Sequence, residues 1–350
     1  MRILSKFALF PVVVLFLFTL GCSSDNAEKG KSKTEVVTKN IAQEEPLNVS
    51  KETTLLLKDL SENGDYVNGR EFPSLIKASS VHDLLGNNIH LIDIRSSQEY
   101  FEGHIQGSVN VSFSDLPEYF ESGIKPFEYD RIILISADGQ ASSYTTSLLR
   151  LMGYGNVYSM RWGMSGWNNK YAEKGWFAAC KSGFQNQLEE KVNEKPAGKG
   201  MPVLNTGMLT GEQIGLVRFE ELFSEGLNNV MVNAEDVFLN PQNYYVINYD
   251  RRDKYESGHI PGAIRYKPGA TLSIVEEMAT IPSDKTAVIY CGTGHNSGFV
   301  TAYLRLFGYD ARTLKYGNNG FMYDRMVEDR STLSWLPFTK SDVNDYKVVK

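Results

Sequence analysis

Ala287-Val-Ile-Tyr-Cys291-Gly-Thr-Gly-His-Asn-Ser297 reads as a buried apolar run, a cysteine, a glycine-bearing loop and a helix start. Val288, Ile289 and Tyr290 are strand-type residues. Gly292 and Gly294 let the backbone curl without steric penalty, and Ser297 is a residue that caps helices. Phe299, Val300, Tyr303, Leu304 and Leu306 follow at helical spacing, and Gly308 stands where a helix closes. A cysteine so placed faces a helix N-terminus and a nest of backbone N–H groups, a setting that favours negative charge and holds anions. Two readings of Cys291 are open from this pattern: a nucleophile in an anion cradle, or a buried inert thiol.

The pattern occurs twice. Leu91-Ile-Asp-Ile-Arg-Ser-Ser-Gln-Glu-Tyr-Phe-Glu-Gly-His104 aligns with Val246-Ile-Asn-Tyr-Asp-Arg-Arg-Asp-Lys-Tyr-Glu-Ser-Gly-His259. Ile132-Ile-Leu-Ile-Ser136 aligns with Ala287-Val-Ile-Tyr-Cys291. His104 and His259, Ser136 and Cys291, and Gly153 and Gly308 are each 155 positions apart. A constant offset over three separate motifs means two copies of one domain. Strand and helix alternate in each copy, which predicts an α/β fold with a mostly parallel sheet flanked by helices. Ligands of such sheets bind outside the carboxyl ends of strands, where the Cys291 loop falls.

The ends and the middle read differently. Arg2 and Lys6 precede an apolar run from Phe7 to Leu20, and Gly21-Cys22 follows. That order is an export signal, residues 1–21. It resembles a bacterial lipobox with Thr19 in place of the usual Leu, which implies lipid on Cys22 and a cell-envelope location with attachment to membrane through the lipid. Residues 22–55 are polar and read as a flexible tether. The copies are placed at 70–178 and 215–327, with a linker at 179–214. The tail, 328–350, contains Trp335 and Pro337 and is expected to pack on the second copy. A net charge of −6 with no basic stripe argues against a nucleic-acid partner. No phosphate-binding P-loop and no zinc-spaced Cys/His set is present, so neither a metal nor another cofactor is expected.

The runs Asp93-x-Arg95-x-x-x-Glu99-Tyr100-x-x-Gly103-His104-Ile105 and Gly258-His259-Ile260-Pro261-Gly262-Ala263, with the strand–Cys–loop–helix of copy two, resemble those of rhodanese sulfurtransferase domains. The resemblance covers about residues 70–170 and 215–325. It implies a tandem rhodanese with an inactive first copy, Ser136 standing where the cysteine belongs. It further implies that Cys291 takes sulfane sulfur as a persulfide from a small donor and passes it to a thiol or cyanide-like acceptor. Gly292, Thr293, Gly294, His295, Asn296 and Ser297 would form the substrate loop around the outer sulfur, with His259 and Arg251 in support. Copy two departs from the family at Asn248 (usually Asp), Asp250 (usually Arg) and Asn296, where many rhodaneses carry a loop-closing Arg. His295, if protonated, would supply part of that lost charge.

Two rivals remain. A phosphatase on this scaffold uses Cys-x5-Arg, but Ser297 occupies the sixth position and no Arg lies in the loop. A non-catalytic binding module is the other, since a fold alone does not establish activity. His104 and His259 occur in both copies, one of which has no nucleophile, so their plainer role is a loop-fixing hydrogen bond. Cys180 is read as a packing thiol, with resolution of a Cys291 persulfide as the alternative. Trp162 and Trp167 are read as core and turn anchors. Arg251 and Arg252 either replace lost ion pairs, draw anionic donors toward the loop, or form a solvated surface pair.

Overall fold

The computed structural model describes residues 47–272, 274–329 and 335–350. The calls on residues 1–46, including Cys22, lie outside them. Strands β1 (Leu75–Ile76), β2 (Ile89–Asp93), β3 (Ser108–Asn110), β4 (Arg131–Ile135) and β5 (Val157–Met160) form one parallel sheet in the order β1-β5-β4-β2-β3. Strands β6 (Met231–Val232), β7 (Tyr244–Asn248), β8 (Ile264–Arg265), β9 (Thr286–Tyr290) and β10 (Ala311–Leu314) repeat that order in a second parallel sheet, β6-β10-β9-β7-β8. The central strands β4 and β9 are continuous apolar runs because helices cover both faces.

The helices that follow these strands, α2 (Gln140–Leu151) and α4 (His295–Leu306), pack against each other and join the copies. A Cβ at Gly298 would lie only 3.1 Å from the Gln140 carbonyl oxygen, so glycine sets the approach of the two helices. The Ser147 hydroxyl donates to the Phe299 carbonyl across the contact, at 2.9 Å. One apolar core therefore runs through both copies, from Ile92, Leu134 and Leu148 to Ile289, Phe299 and Phe307.

Three boundary expectations change. The tether was expected to run to residue 55, but α1 (Lys51–Asn63) starts earlier, capped by Ser50, and buries Leu56 and Leu60 in the shared core. The linker ends in α3 (Gly211–Glu225), which packs on α1. The tail divides. Trp335 joins the core of copy two, but Tyr346 N–H donates to the Trp167 carbonyl and Val349 forms a backbone bridge with His104 of copy one. Glu189, which follows copy one, forms the matching bridge with His259 of copy two. Each copy is thus finished by a segment that follows the other. The tail is not confined to copy two because its backbone finds an open edge at the His104 loop.

Candidate active site

β9 delivers Cys291 to the N-terminus of α4, where it is 4% exposed. The helix starts two residues earlier than Ser297. Gly294 is the N-cap, with φ 77°, and Ser297 lies inside the first turn. Its hydroxyl sits 3.8 Å from Cys291 Sγ and pairs behind with Thr313 Oγ1. Asn318 N–H donates to the Cys291 carbonyl at 3.1 Å, and Asn319 Nδ2 donates to the Gly292 carbonyl at 2.8 Å. These contacts fix the loop from behind, at the N-terminus of α4, with the Ser297 hydroxyl beside the sulfur.

Copy one has the same frame with oxygen in place of sulfur. Ser136 Oγ accepts from Gly139 N–H at 3.0 Å and Ser142 N–H at 3.3 Å, and pairs with Ser142 Oγ at 3.1 Å. These partners are hydroxyl and N–H groups, and none is a base that would take the serine proton.

His295 is fully buried between the copies rather than open to substrate. Trp162 N–H of copy one donates to His295 Nε2 at 3.2 Å, so the ring proton sits on Nδ1, which meets Thr293 Oγ1 at 2.8 Å. The ring stacks on Trp176 at 5.7 Å and meets Trp162 edge-on at 5.1 Å. Burial first, and Arg161 second, hold its pKa down to about 3. The condition on which His295 would supply charge is therefore not met: the ring is neutral. It contributes through Thr293, whose hydroxyl accepts from the ring and keeps its own proton to donate. The contact is reciprocal, for Tyr316 N–H of copy two donates to Gln140 Oε1 of copy one at 2.6 Å, and Gln140 is the repeat partner of His295.

A pH dependence follows. Between the ordinary histidine value near 6.5 and about 3, the unfolded chain binds a proton that the folded chain refuses. Stability attributable to His295 should fall as pH drops through that window, by up to about 1.4 kcal/mol per unit. Urea midpoints at pH 7 and pH 5 should therefore drop further for the wild type than for His295→Asn; equal drops would show that the ring is not held neutral.

His259 takes the loop-fixing role. It is buried, its Nδ1 donates to the Tyr255 carbonyl at 2.8 Å, and its ring stacks on Tyr255 at 3.8 Å. His104 repeats this on Tyr100. Arg251 is exposed and pairs with Asp253 at 3.1 Å, on the surface rather than at the loop. Asn296 is half-buried on the first turn of α4. Cys180 lies 3.9 Å from Asn319 Oδ1, and burial pushes its thiol up to about 12, which suits a packing thiol and not a resolving one.

Sequence reasoning missed two cations. In copy one Arg95 Nε and Nη2 bind the Asp93 carboxylate. Copy two inverts the charges: Lys254 Nζ pairs with Asp250 Oδ1 at 3.0 Å, both side chains over nine-tenths buried. Burial raises the Asp250 pKa and Lys254 lowers it. A Cβ at Gly292 would lie 3.6 Å from Lys254 Nζ and 3.8 Å from Asp250 Oδ2, so this pair flanks the cysteine loop. The four-residue spacing of Asp250 and Lys254 was its signal in the sequence. Arg161, directly after β5 in copy one, is the second, and only the fold brings it near.

The chain belongs to the rhodanese family: the model of the rhodanese-like domain matches residues 77–170 and 238–324. The structure is a tandem of two such domains, each a parallel sheet flanked by helices. The chain is 30% identical over 104 residues to the thiosulfate sulfurtransferase GlpE of Pseudoalteromonas translucida, covering 29% of this chain and 95% of that protein. It is 25% identical over 172 residues to the tRNA uridine(34) hydroxylase of Teredinibacter turnerae, covering 46% of this chain and 51% of that one, so it spans about half the length of that relative. Among solved structures it aligns with a thiosulfate sulfurtransferase from Pseudomonas aeruginosa at 17% identity and a TM-score of 0.28, over 75% of this chain and 46% of that one.

Proposed function

We propose that the protein is a sulfurtransferase in which Cys291 accepts sulfane sulfur as a persulfide and hands it to a thiol or cyanide-like acceptor. The observation that carries this reading is the contrast between the two frames. The same loop–helix geometry holds a self-satisfied hydroxyl at Ser136 and a sulfur at Cys291. In this reading copy one is catalytically inactive. With thiosulfate, the Cys291 thiolate attacks the sulfane sulfur, the S–S bond breaks, and sulfite leaves with the electron pair. The loop N–H groups and the Thr293 hydroxyl would stabilise the terminal sulfur anion. Acceptor attack on that sulfur then returns the thiolate.

Intact mass of the reduced protein after thiosulfate or polysulfide tests this. A gain of about 32 Da, reversed by cyanide or a thiol and missing in Cys291→Ser, is expected. No gain with either donor, from folded protein with a free Cys291, would favour a binding module instead; the near-complete burial of Cys291 is the observation on that side.

We also propose export and lipidation at Cys22, on the order of basic, apolar and small residues before it. Labelled palmitate should enter the wild type and not Cys22→Ala.

A further inference from the structure

The loop of copy two has no arginine, yet the donors proposed above are anions. Thiosulfate carries two negative charges, and a helix N-terminus with a neutral His295 offers only partial positive charge against them. Lys254 stands beside the loop, but Asp250 neutralises it. Among the described residues a further cation stands at this place, and it comes from copy one.

Arg161 directly follows β5, and its N–H donates to the Ile76 carbonyl at 2.8 Å, which fixes its backbone at the carboxyl edge of the first sheet. The next residue, Trp162, is in the left-handed region with φ 65° and makes the N–H contact to His295, four residues past Cys291. This turn carries residue 161 across the boundary between copies. The guanidinium carbon lies 5.4 Å over the Trp162 ring, which itself packs on His295 and on Phe338 of the tail. Arg161 Nε is buried and makes no hydrogen bond to any described residue. A buried arginine donor with no acceptor is costly unless a ligand completes it. The facing acidic group is Asp342, whose Oδ2 already accepts from Thr339 N–H at 2.9 Å and Thr339 Oγ1 at 3.0 Å. Burial pulls the guanidinium below the usual arginine value, while the charges of Asp342 and Cys291 act the other way. Because Trp162, over which the guanidinium lies, meets His295 of the Cys291 loop, the unpaired Nε stands beside that loop.

We propose that Arg161 of the first copy is the cation that holds the anionic end of the sulfur donor over Cys291 of the second. This rests on reading Cys291 as the sulfur acceptor. It gives the copy without a nucleophile a direct part in the chemistry, and it supplies across the interface the charge that Asn296 does not. The ligand class is a small dianion or monoanion with a terminal sulfane sulfur, its charged end away from Cys291.

Alkylation separates this inference from the sulfurtransferase reading, because it needs no sulfur transfer. Rates of Cys291 modification by anionic iodoacetate and neutral iodoacetamide are measured on the full chain for wild type, Arg161→Lys, Arg161→Gln and Arg161→Ala. The iodoacetate-to-iodoacetamide ratio should fall about tenfold in the Gln and Ala variants and stay near wild type in Lys, as one lost charge at close range requires. Persulfide formation from thiosulfate should slow in parallel. An unchanged ratio in folded Arg161→Ala overturns the proposal, and so does a wild-type Cys291 that neither reagent reaches. A ratio that falls while no donor ever persulfidates Cys291 keeps the anion site and removes the sulfurtransferase.

Discussion

Gly317→Ala should abolish persulfide formation at Cys291, by more than about a hundredfold, in a protein that still folds. Gly317 has φ 50°, and a Cβ there would overlap the Cys291 carbonyl oxygen and lie 2.7 Å from Gly294 N and 2.9 Å from Thr293 N. Any methyl at 317 must push the cysteine loop away from its brace, and displacements near 1 Å at a reacting centre cost rates of that order. The left-handed backbone adds about 1–2 kcal/mol of strain. Gly163 provides the comparison. It has φ 56°, and its Cβ would overlap the Ser136 carbonyl in the same way. Chemical denaturation of Gly163→Ala should therefore show a similar stability loss. Stability losses of similar size, with persulfide formation untouched in Gly317→Ala, would mean that the loop geometry is not what activates Cys291.

Lys254→Met should destabilise the protein by about 3 kcal/mol at pH 8, since it leaves the Asp250 carboxylate buried without its partner. The loss should shrink toward pH 5. Burial already raises the Asp250 pKa, and removing Lys254 takes away the largest opposing influence. The folded variant then takes up a proton that the unfolded chain, titrating lower, does not, so its stability is gained as pH falls and lost as pH rises. Adding Asp250→Asn should recover most of the loss at pH 8. Denaturation curves at the two pH values check all three statements, and a pH-independent loss would mean that Asp250 does not titrate with the folded state.

The parts of this structure that were legible from sequence are those written in one stretch of chain. The run Ala287–Tyr290 had to be a strand covered on both faces, and the glycines after Cys291 had to make a loop, because few other conformations suit them. The 155-residue offset then gave the second domain. Ser297 was read as a helix cap, but Gly294 takes the cap, and the serine hydroxyl lies 3.8 Å from Cys291 Sγ. His295 was read as a loop residue that would supply part of the lost charge if protonated. Its neutrality comes from Trp162 and Trp176, more than a hundred positions earlier, and no local pattern shows them closing over it. Arg161 escaped notice for the same reason, since its relation to Cys291 exists only once α2 and α4 have packed.

The crossed bridges at His104 and His259 bear on how the chain acquires its structure during synthesis. His259 finds Glu189 already made, 70 residues upstream, whereas His104 must wait for Val349, 245 residues downstream. The first copy emerges first and is completed last. A ribosome-bound chain therefore holds an unfinished domain through most of its elongation, and that domain carries Ser136 where the other carries Cys291. The cysteine lies in the copy whose closing segment is already present when it appears, so the Cys291 thiol need not stay long on an open surface.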